Sequence, residues 1–422
     1  MNQSDNFADL ALAEPLLRAL TAIGMVTPTP IQAQAIPALL EGRDMLGVAQ
    51  TGTGKTAAFG LPLLQQLSSR ADALQPKSVR ALILAPTREL AIQIDAELRK
   101  FSKFLGIRHA LVFGGVGHQP QIRSLEKGVD ILVATPGRLL DHLQARAVRL
   151  DQVGHLVLDE ADRMLDMGFV RDVMKIVALL PQKRQTMLFS ATMPTEVAQL
   201  SRKLLDQPIR VEVTPEIVTV EKIEQTLYRV AAGDKRHFLV DLLANEAMHR
   251  VIVFTRTKHG ADRVSQHLQR AGIETLALHG NKSQGARQKA LEGFKDGSLR
   301  VLVATDIAAR GIDVADITHV VNFDLPDEPE AYVHRIGRTA RAGRSGIAYS
   351  LFDAGETARL KAIERLIRRP IPETVTNFRP PAPAPRPAND VARGEISARE
   401  GQPMQQKSKK NRWRGQQRRR AA

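Results

Sequence analysis

The chain of 422 residues contains no cysteine, which excludes disulfide bonds and thiolate metal sites and fits a reducing compartment. Aromatic residues make up only 4% of it, and no uninterrupted apolar run approaches the roughly 20 residues that span a bilayer. The N-terminus lacks the basic and then apolar pattern of a secretory signal peptide. Together these absences predict a cytoplasmic protein without a membrane span.

Positive charge is distributed unevenly along the chain, whose formal net charge is +15. Residues 376–422 hold twelve Lys and Arg residues against three Asp and Glu residues, so much of the excess lies in the C-terminal tail. A polyanionic partner is the natural interpretation, and nucleic acid is the most common one. A tail that only keeps the protein in solution is the alternative.

Short apolar runs alternate with amphipathic helical patterns, which predicts parallel sheets covered by helices on both faces. The predicted strands cover residues 45–48, 81–85, 110–113, 131–134, 156–158, 186–189, 251–254, 275–278, 301–304 and 319–322. Helical patterns include residues 88–104, 162–180, 258–271 and 283–294. The alternation stops near residues 211–220, which predicts two α/β domains, at residues 1–210 and 223–368, joined by a short linker at 211–222. Residues 369–422 are Pro-rich and then basic, and we expect them to form a disordered tail.

A glycine-rich turn follows the apolar run at residues 45–48 and precedes a helical pattern. Glycines let backbone N–H groups close around an anion, and a helix N-terminus adds partial positive charge. Lys55 would reach the β- and γ-phosphates of a nucleotide, and the Thr56 hydroxyl would ligate Mg²⁺. This predicts a phosphate-binding loop, with Ala49 in place of the usual first glycine. Its residues are Ala49, Gln50, Thr51, Gly52, Thr53, Gly54, Lys55 and Thr56.

Two carboxylates directly follow the predicted strand at residues 156–158. A carboxylate at the C-terminal end of a strand beside a phosphate loop is placed to hold the nucleotide's Mg²⁺, and Asp159 is the candidate. Glu160 would orient or deprotonate an attacking water. An acid-rich helix N-terminus is the alternative interpretation of the pair.

Three further motifs complete a recognisable set. They are Asp-Glu-Ala-Asp at 159–162, Ser-Ala-Thr at 190–192 and His-Arg-Ile-Gly-Arg-Thr-Ala-Arg at 334–341. From about residue 7 to residue 368, the chain resembles the DEAD-box RNA helicases, and within them the bacterial RhlE-like group. The resemblance implies two tandem RecA-like domains, ATP as the nucleotide, Mg²⁺, and closure of the domains around ATP and RNA that locally unwinds or remodels RNA.

The resemblance also implies roles for individual residues around the nucleotide. Gln32 would read the adenine with its amide, and Phe7 would stack on it. Ser190 and Thr192 would bond either the Asp-Glu-Ala-Asp carboxylates or His334. Arg338 and Arg341, three apart on one helical face, would reach the γ-phosphate from the second domain. Gly311 and Asp313 belong to the ATP side, and Ala340 stands where the family usually has Gly.

The remaining family motifs should line an RNA groove. Their arginines, hydroxyls and glycine N–H groups suit phosphates and sugars, so binding should not depend on base sequence. The candidates are Arg88, Gly115, Thr135 and Arg138 in the first domain, and Arg256, Arg287 and Thr305 in the second. RNA, single-stranded or duplex, is thus the predicted partner, and the basic tail around Trp413 would tether it.

Two other functions share these features. A non-catalytic RNA-binding scaffold would be expected to have lost Lys55, Glu160 or Arg338, and all three are present. A DNA translocase could use the same two-domain core, since spacing does not reveal contacts to the RNA 2′-OH. The sequence identifies neither the physiological RNA nor the oligomeric state.

Overall fold

The structure is a computed structural model. It describes residues 6–50, 52–70, 73–213, 223–309, 314, 316–340, 345–376 and 378. Among these residues, no helix is long and apolar enough to cross a membrane. The predicted linker from residue 214, the basic tail, and the site candidates Thr51, Gly311, Asp313 and Arg341 lie outside the described residues.

The first domain is built on a parallel sheet of seven strands, in the order β3-β4-β2-β5-β6-β1-β7. Its strands are β1 (Met45–Val48), β2 (Val79–Leu84), β3 (His109–Val112), β4 (Val129–Ala134), β5 (His155–Leu158), β6 (Gln185–Ser190) and β7 (Ile209–Glu212). Its α-helices are α1 (Glu14–Ala22), α2 (Pro30–Leu40), α3 (Lys55–Ser68), α4 (Arg88–Phe101), α5 (His118–Leu125), α6 (Pro136–Gln144), α7 (Ala161–Asp166), α8 (Val170–Val177) and α9 (Thr195–Leu204). A 3₁₀ helix, Phe7–Leu10, precedes them.

Helices cover both faces of this sheet. Along β2, Ala81 and Ile83 join one hydrophobic core, whereas Leu82 and Leu84 join the other. This alternation follows from the period of two along a strand, and burial on both faces explains why the strands are continuous apolar runs. All six strands predicted in this half of the chain are present.

One helical prediction in the first domain is wrong. The pattern at residues 162–180 forms two helices, α7 and α8, rather than a single one. Gly168, between them, has φ 77°, a left-handed conformation that ends a helix and that glycine adopts without steric cost.

The second domain repeats the plan with a parallel sheet in the order β10-β11-β9-β12-β13-β8-β14. Its strands are β8 (Ile223–Arg229), β9 (Val251–Phe254), β10 (Thr275–Leu278), β11 (Val301–Ala304), β12 (His319–Asn322), β13 (Gly346–Phe352) and β14 (Glu373–Thr374). Its α-helices are α10 (Lys235–Leu243), α11 (Lys258–Arg270), α12 (Gln284–Asp296), α13 (Asp306–Ala309), α14 (Pro329–Ile336) and α15 (Thr357–Ile367), with a 3₁₀ helix, Ala354–Glu356.

The folded part of the second domain extends beyond residue 368, where the sequence predicted its end. Ile371 is buried, and β14 adds an edge strand beside β8. The Phe378 ring packs edge-on against Phe238, with ring centroids 5.4 Å apart. Residues 369–376 and Phe378 thus belong to the structured domain, and the tail prediction applies to residues from 379 onward.

In both sheets the carboxyl ends of all strands meet at one edge, because the strands are parallel. That edge is where α/β proteins bind ligands. The phosphate loop, the Asp-Glu-Ala-Asp carboxylates and the Ser-Ala-Thr motif follow β1, β5 and β6 there.

Candidate nucleotide site and inter-domain groove

The phosphate loop connects β1 to α3. Gly54 caps the helix with φ 89°, where a side chain would be strained and would also collide with the Gln32 amide. Lys55 is the first residue of the helix and is only 6% exposed, and its Nζ donates to the Ala49 carbonyl at 3.0 Å. The Ala49 N–H donates to the Ser190 carbonyl at 3.0 Å, so Ala49 continues the β1–β6 ladder. Alanine is therefore compatible with the first position of the loop.

Gln32 bonds the phosphate loop through its side-chain amide. Its Oε1 accepts from the Thr29 N–H at 2.8 Å, and its Nε2 donates to the Gly54 carbonyl at 3.0 Å. The Thr29 hydroxyl adds a bond to the Thr53 carbonyl at 2.7 Å. Gln32 is 1% exposed. The sequence predicts that the Gln32 amide reads adenine. In this structure its oxygen and its nitrogen both bond the protein, and they fix the phosphate loop to α2.

Phe7 is also placed differently from its predicted role. The ring is 2% exposed and belongs to the first hydrophobic core, with Leu10 and Leu16. Stacking on a base requires an open ring face. In this conformation, a base could stack on Phe7 only after its side chain had moved.

Asp159 and Glu160 follow β5 and are both buried. Burial raises the pKa of Asp159 to about 6, although the nearby Lys55 charge opposes the shift. Burial also acts to raise the pKa of Glu160, but the charges of Arg163, Lys55 and Arg338 outweigh it and hold that pKa below its usual value. Glu160 is thus kept ionised, as a group that accepts a proton from water must be.

The Glu160 backbone has φ 53° and ψ 55°, a left-handed conformation that is costly for a residue with a side chain. Arg163, one helical turn later, donates from Nη1 to Glu160 Oε2. Both side chains are almost fully buried. The carboxylate is therefore positioned by its own helix as well as by the end of β5.

The Ser-Ala-Thr motif bonds Asp162, the last residue of the Asp-Glu-Ala-Asp sequence. The Thr192 hydroxyl and N–H each donate to Asp162 Oδ2 at 2.9 Å, and the Ala191 N–H donates at 3.2 Å. Ser190 Oγ accepts from the Asp162 N–H at 3.2 Å. The sequence left open whether this motif bonds the Asp-Glu-Ala-Asp carboxylates or His334. Thr192 donates to a carboxylate, that of Asp162.

Arg338 of the second domain follows α14, which ends at Ile336, so the prediction that it lies on a helical face is wrong. Arg338 is 7% exposed and its Nε donates to the His334 carbonyl at 3.2 Å. Its charge acts on Glu160 of the first domain. This influence crosses the domain boundary, and the reach of Arg338 to the γ-phosphate stays a prediction from the resemblance.

The predicted groove residues of the first domain lie at the carboxyl edge of its sheet. The Arg88 guanidinium packs so closely on Gly115 that any side chain there would collide with it, and Gly115 has φ 83°. Arg138 donates to the Val116 carbonyl at 3.0 Å and is mostly buried. Thr135 precedes α6 and is 8% exposed. Arg88 and Arg138 thus order the glycine loop at residues 114–116.

The groove residues of the second domain differ in exposure. Arg256 is exposed, with its guanidinium 4.0 Å from Asp327. Thr305 is 9% exposed, and its N–H pairs with the Leu278 carbonyl at 3.2 Å. Arg287 is mostly buried and bonds Glu89 of the first domain at 2.7 Å. Arg256 therefore presents its charge to solvent, whereas Arg287 is engaged between the domains.

Comparison with known proteins agrees with this geometry. A family model described as DEAD/DEAH box helicase matches residues 29–200, and one described as helicase conserved C-terminal domain matches residues 234–343. The DEAD-box ATP-dependent RNA helicase CshA of Bacillus cereus is 45% identical over 363 residues, which cover 86% of this chain and 68% of that protein. The chain belongs to the DEAD-box ATP-dependent RNA helicase family.

Two solved structures bear on how the domains of this DEAD-box helicase are placed. S. cerevisiae Dbp5 bound to RNA and ADP–BeF3 matches with a TM-score of 0.78 at 32% identity, over 88% of this chain and 96% of that chain. A Dbp5 variant bound to Nup159, a Gle1 variant, IP6 and ADP gives 0.60 at 31% identity, over 87% and 96%. The arrangement of this helicase is thus more similar to that of RNA-bound Dbp5.

The sequence analysis missed two residues that organise the helicase site. Arg163 stands three residues after Glu160, a spacing that brings opposite charges together on a helix and could have revealed the pair. Arg335 lies between His334 and Arg338 in the motif, yet it points inward to Asp306 rather than to the nucleotide side. No spacing in the sequence distinguishes such a structural arginine from its neighbours.

Proposed function

We propose that this DEAD-box helicase hydrolyses ATP when its two domains close, and that closure locally separates or remodels RNA strands. The observation that carries the proposal is that the two domains are in contact, with Arg287 of the second donating to Glu89 of the first at 2.7 Å. The Arg338 charge also helps to lower the pKa of Glu160, which lies in the first domain with Lys55 and Asp159. Lys55 binds the phosphates, Glu160 takes a proton from the attacking water, and Arg338 stabilises charge that develops on the γ-phosphate. Gly311, Asp313 and Arg341 join the nucleotide side on the strength of the resemblance.

The donor set suits a nucleotide-bound Mg²⁺. It offers one buried carboxylate, Asp159, and one hydroxyl, Thr56, and the described residues contain no cluster of three or more His, Cys, Asp or Glu side chains that could hold a metal alone. Mg²⁺ typically takes one or two protein ligands and completes its shell with phosphate oxygens and water. When bound, it would neutralise charge on the phosphates. The residues of this chain orient the nucleotide and the water around it.

RNA binding proceeds through the backbone in this proposal. Arg256 is exposed at the carboxyl edge of the second sheet, and Arg88 lies against Gly115 at that of the first. Arginine and backbone N–H groups bind phosphates without reading bases. Closure around one strand in a path that a duplex does not permit would then separate the strands locally.

Four finer points remain proposals. The domains divide near residues 1–210, 211–222 and 223–368, although β7 and β14 extend beyond these limits. The basic tail tethers RNA. Membership of the RhlE-like group rests on the resemblance of the motifs alone, since the similar Bacillus cereus protein is named CshA. A cytoplasmic location likewise rests on the sequence.

The test is steady-state ATPase with RNA and with DNA of matched sequence and length. We expect stimulation by RNA but not by DNA, and Glu160→Gln should keep ATP and RNA bound while turnover collapses. Equal stimulation by both polymers would favour a DNA translocase. Full turnover in Glu160→Gln would remove this carboxylate from the mechanism.

A further inference from the structure

The glycine loop at residues 114–116 is held by side chains of α5 and α6. Gln121 of α5 donates from Nε2 to the Phe113 carbonyl at 3.0 Å, just before the loop. Arg138 of α6 donates from Nη1 to the Val116 carbonyl at 3.0 Å, at the end of the loop. Gln121 is 7% exposed and Arg138 is 9% exposed. Two almost fully buried side chains thus bind carbonyl groups on either side of the glycines.

His142, a fully buried residue of α6, binds Gln121 in turn. Its ring nitrogen Nε2 lies 3.0 Å from Gln121 Oε1. Because the amide nitrogen of Gln121 donates to the Phe113 carbonyl, the amide oxygen is the acceptor and His142 Nε2 carries the proton. The other ring nitrogen, Nδ1, is buried and has no hydrogen-bond partner among the described residues. A chain of hydrogen bonds therefore leads from His142 through Gln121 to Phe113.

The surroundings of His142 keep its ring neutral. Burial lowers the pKa of His142, and the charges of His118 and Arg138 act in the same direction, whereas Asp141 opposes them. The His118 ring meets the His142 ring edge-on, with centroids 5.3 Å apart. A neutral ring with its proton on Nε2 donates one hydrogen bond, and Gln121 accepts it. The ring therefore serves as a fixed donor rather than as a charge.

The N–H groups of the glycine loop are left open. Within the described part of the chain, no protein group accepts a hydrogen bond from the N–H of Gly114, Gly115 or Val116. These three residues are exposed or half-buried, so a ligand can reach them. Successive N–H groups without partners form a concavity of partial positive charge, which suits a phosphate group. The protein thus occupies the carbonyl groups around the loop and leaves its donors for an anion.

α6 relates this support to another predicted RNA contact. Arg138 and His142 are four residues apart and lie on the same face of the helix. Arg138 acts on the loop directly, and His142 acts on it through Gln121. Thr135, which is predicted to face RNA, immediately precedes the first turn of α6. The same helix therefore holds the glycine loop and carries Thr135 at its start.

We propose that Gln121 and His142 are positioning residues that hold the glycine loop in the shape that binds the RNA backbone. The role rests on the proposed function and adds two residues to it. Donors that are already ordered lose less conformational freedom when a ligand binds, which raises the affinity for that ligand. Both side chains are buried and act through the Phe113 carbonyl, without contacting RNA or the nucleotide.

Side chains of similar length remove these hydrogen bonds without emptying the site. Gln121→Met removes both bonds of the amide, and His142→Met removes only the bond of the ring. His142→Gln is the conservative variant, because its amide nitrogen can still donate to Gln121. Gln144→Met, at an exposed position of α6, is the matched control. Gly115→Ala disturbs the loop itself, since its φ of 83° and the Arg88 guanidinium leave no room for a side chain.

The measurements are steady-state ATPase against RNA concentration and the Kd for ATP. In Gln121→Met, we expect the RNA concentration for half-maximal ATPase to rise about fivefold, with turnover at saturating RNA and the Kd for ATP within about twofold of the wild type. His142→Met should give a rise of about threefold, and it should add nothing when combined with Gln121→Met. His142→Gln and Gln144→Met should stay within about twofold of the wild type in all three quantities.

Wild-type RNA dependence in Gln121→Met would overturn the role. Parallel losses of turnover and of ATP affinity would also overturn it, because they would indicate a general structural defect. So would effects of Gln121→Met and His142→Met that multiply in the double variant, or a failure of His142→Gln to restore RNA binding.

Gly115→Ala separates the positioning role from the proposed function. If Gly115→Ala weakens RNA binding and Gln121→Met does not, the loop binds RNA and only the positioning role fails. If the wild type shows no RNA-stimulated ATPase, the proposed function itself fails.

Discussion

Arg335 donates two parallel hydrogen bonds to the Asp306 carboxylate, from Nε at 2.6 Å and from Nη2 at 2.7 Å. The arginine is 1% exposed, and its Nη1 also donates to the Asn322 side chain and the Asp324 carbonyl. Such a planar, bidentate contact specifies direction as well as charge. The contact fixes the start of α13 against α14. Asp306 lies between Thr305, which is predicted to face RNA, and Gly311, which is predicted to face ATP.

Replacing this arginine by lysine tests the contact while keeping the charge. Arg335→Lys can make one bond where the wild type makes several, so we expect the free energy of unfolding to fall by about 2 kcal/mol. RNA-stimulated turnover should fall about tenfold or more, because α14 also carries His334 and leads to Arg338. Urea unfolding and steady-state ATPase measure the two effects. Wild-type values in both would show that the geometry of the pair is unimportant.

Ala340 offers a stabilising substitution. Its φ is 55°, and a left-handed backbone costs a residue with a Cβ roughly 1–2 kcal/mol. Its methyl group packs against a core of the second domain, which offsets part of any gain. We expect Ala340→Gly to raise the free energy of unfolding by about 0.5 kcal/mol.

The control is Ala145→Gly, at an exposed helix end with φ −74°, where the change should not stabilise. Thermal unfolding of the three proteins makes the comparison. A loss of stability in Ala340→Gly would mean that the methyl contact outweighs the backbone strain.

His155 makes stability depend on pH. Burial, reinforced by the charge of Arg70, lowers its pKa to about 4. In the unfolded chain the ordinary pKa near 6.5 applies, so between these values only the unfolded state takes up the proton. The contribution of His155 to the free energy of unfolding should therefore be constant above about pH 6.5 and decline below it.

The difference between wild type and His155→Gln isolates this residue from other titrating groups. From pH 7.5 to pH 5, we expect the wild type to lose about 2 kcal/mol more than the variant in urea unfolding. Parallel pH profiles of the two proteins would show that the His155 proton is not linked to folding.

The basic tail should carry part of the RNA affinity. A chain that ends at Phe378 keeps the ring contact with Phe238 and removes all twelve Lys and Arg residues of the tail. Each phosphate contact that is lost reduces the slope of log K against log salt. We expect weaker RNA binding and a flatter salt dependence than in the full chain. An unchanged slope would assign the tail another role.

The sequence was sufficient for elements whose residues are buried on both sides. Strands such as Val251–Phe254 and Val301–Ala304 are continuous apolar runs, and their predicted limits match the structure. The four strands that escaped prediction contain exposed or half-buried positions and so lack that pattern. They are Ile209–Glu212, Ile223–Arg229, Gly346–Phe352 and Glu373–Thr374. Their pairing depends on a neighbour that is distant in the chain.

The site shows the same division. Lys55 and Asp159 could be named as candidates because the phosphate loop and the end of β5 are local features. The burial of Phe7, the bonding of Gln32 to Gly54 and the pair between Glu89 and Arg287 depend on segments far apart in the sequence. No local pattern carries that information.

The central claim is that the two domains share one catalytic site, and Arg338→Ala tests it most directly. ATP affinity by equilibrium titration and RNA-stimulated turnover are measured on the same full-length protein. We predict that turnover falls roughly a hundredfold or more while the Kd for ATP changes less than about threefold, since an arginine finger acts on the transition state. Unchanged turnover, or an equal loss of affinity and turnover, would contradict a site completed by the second domain.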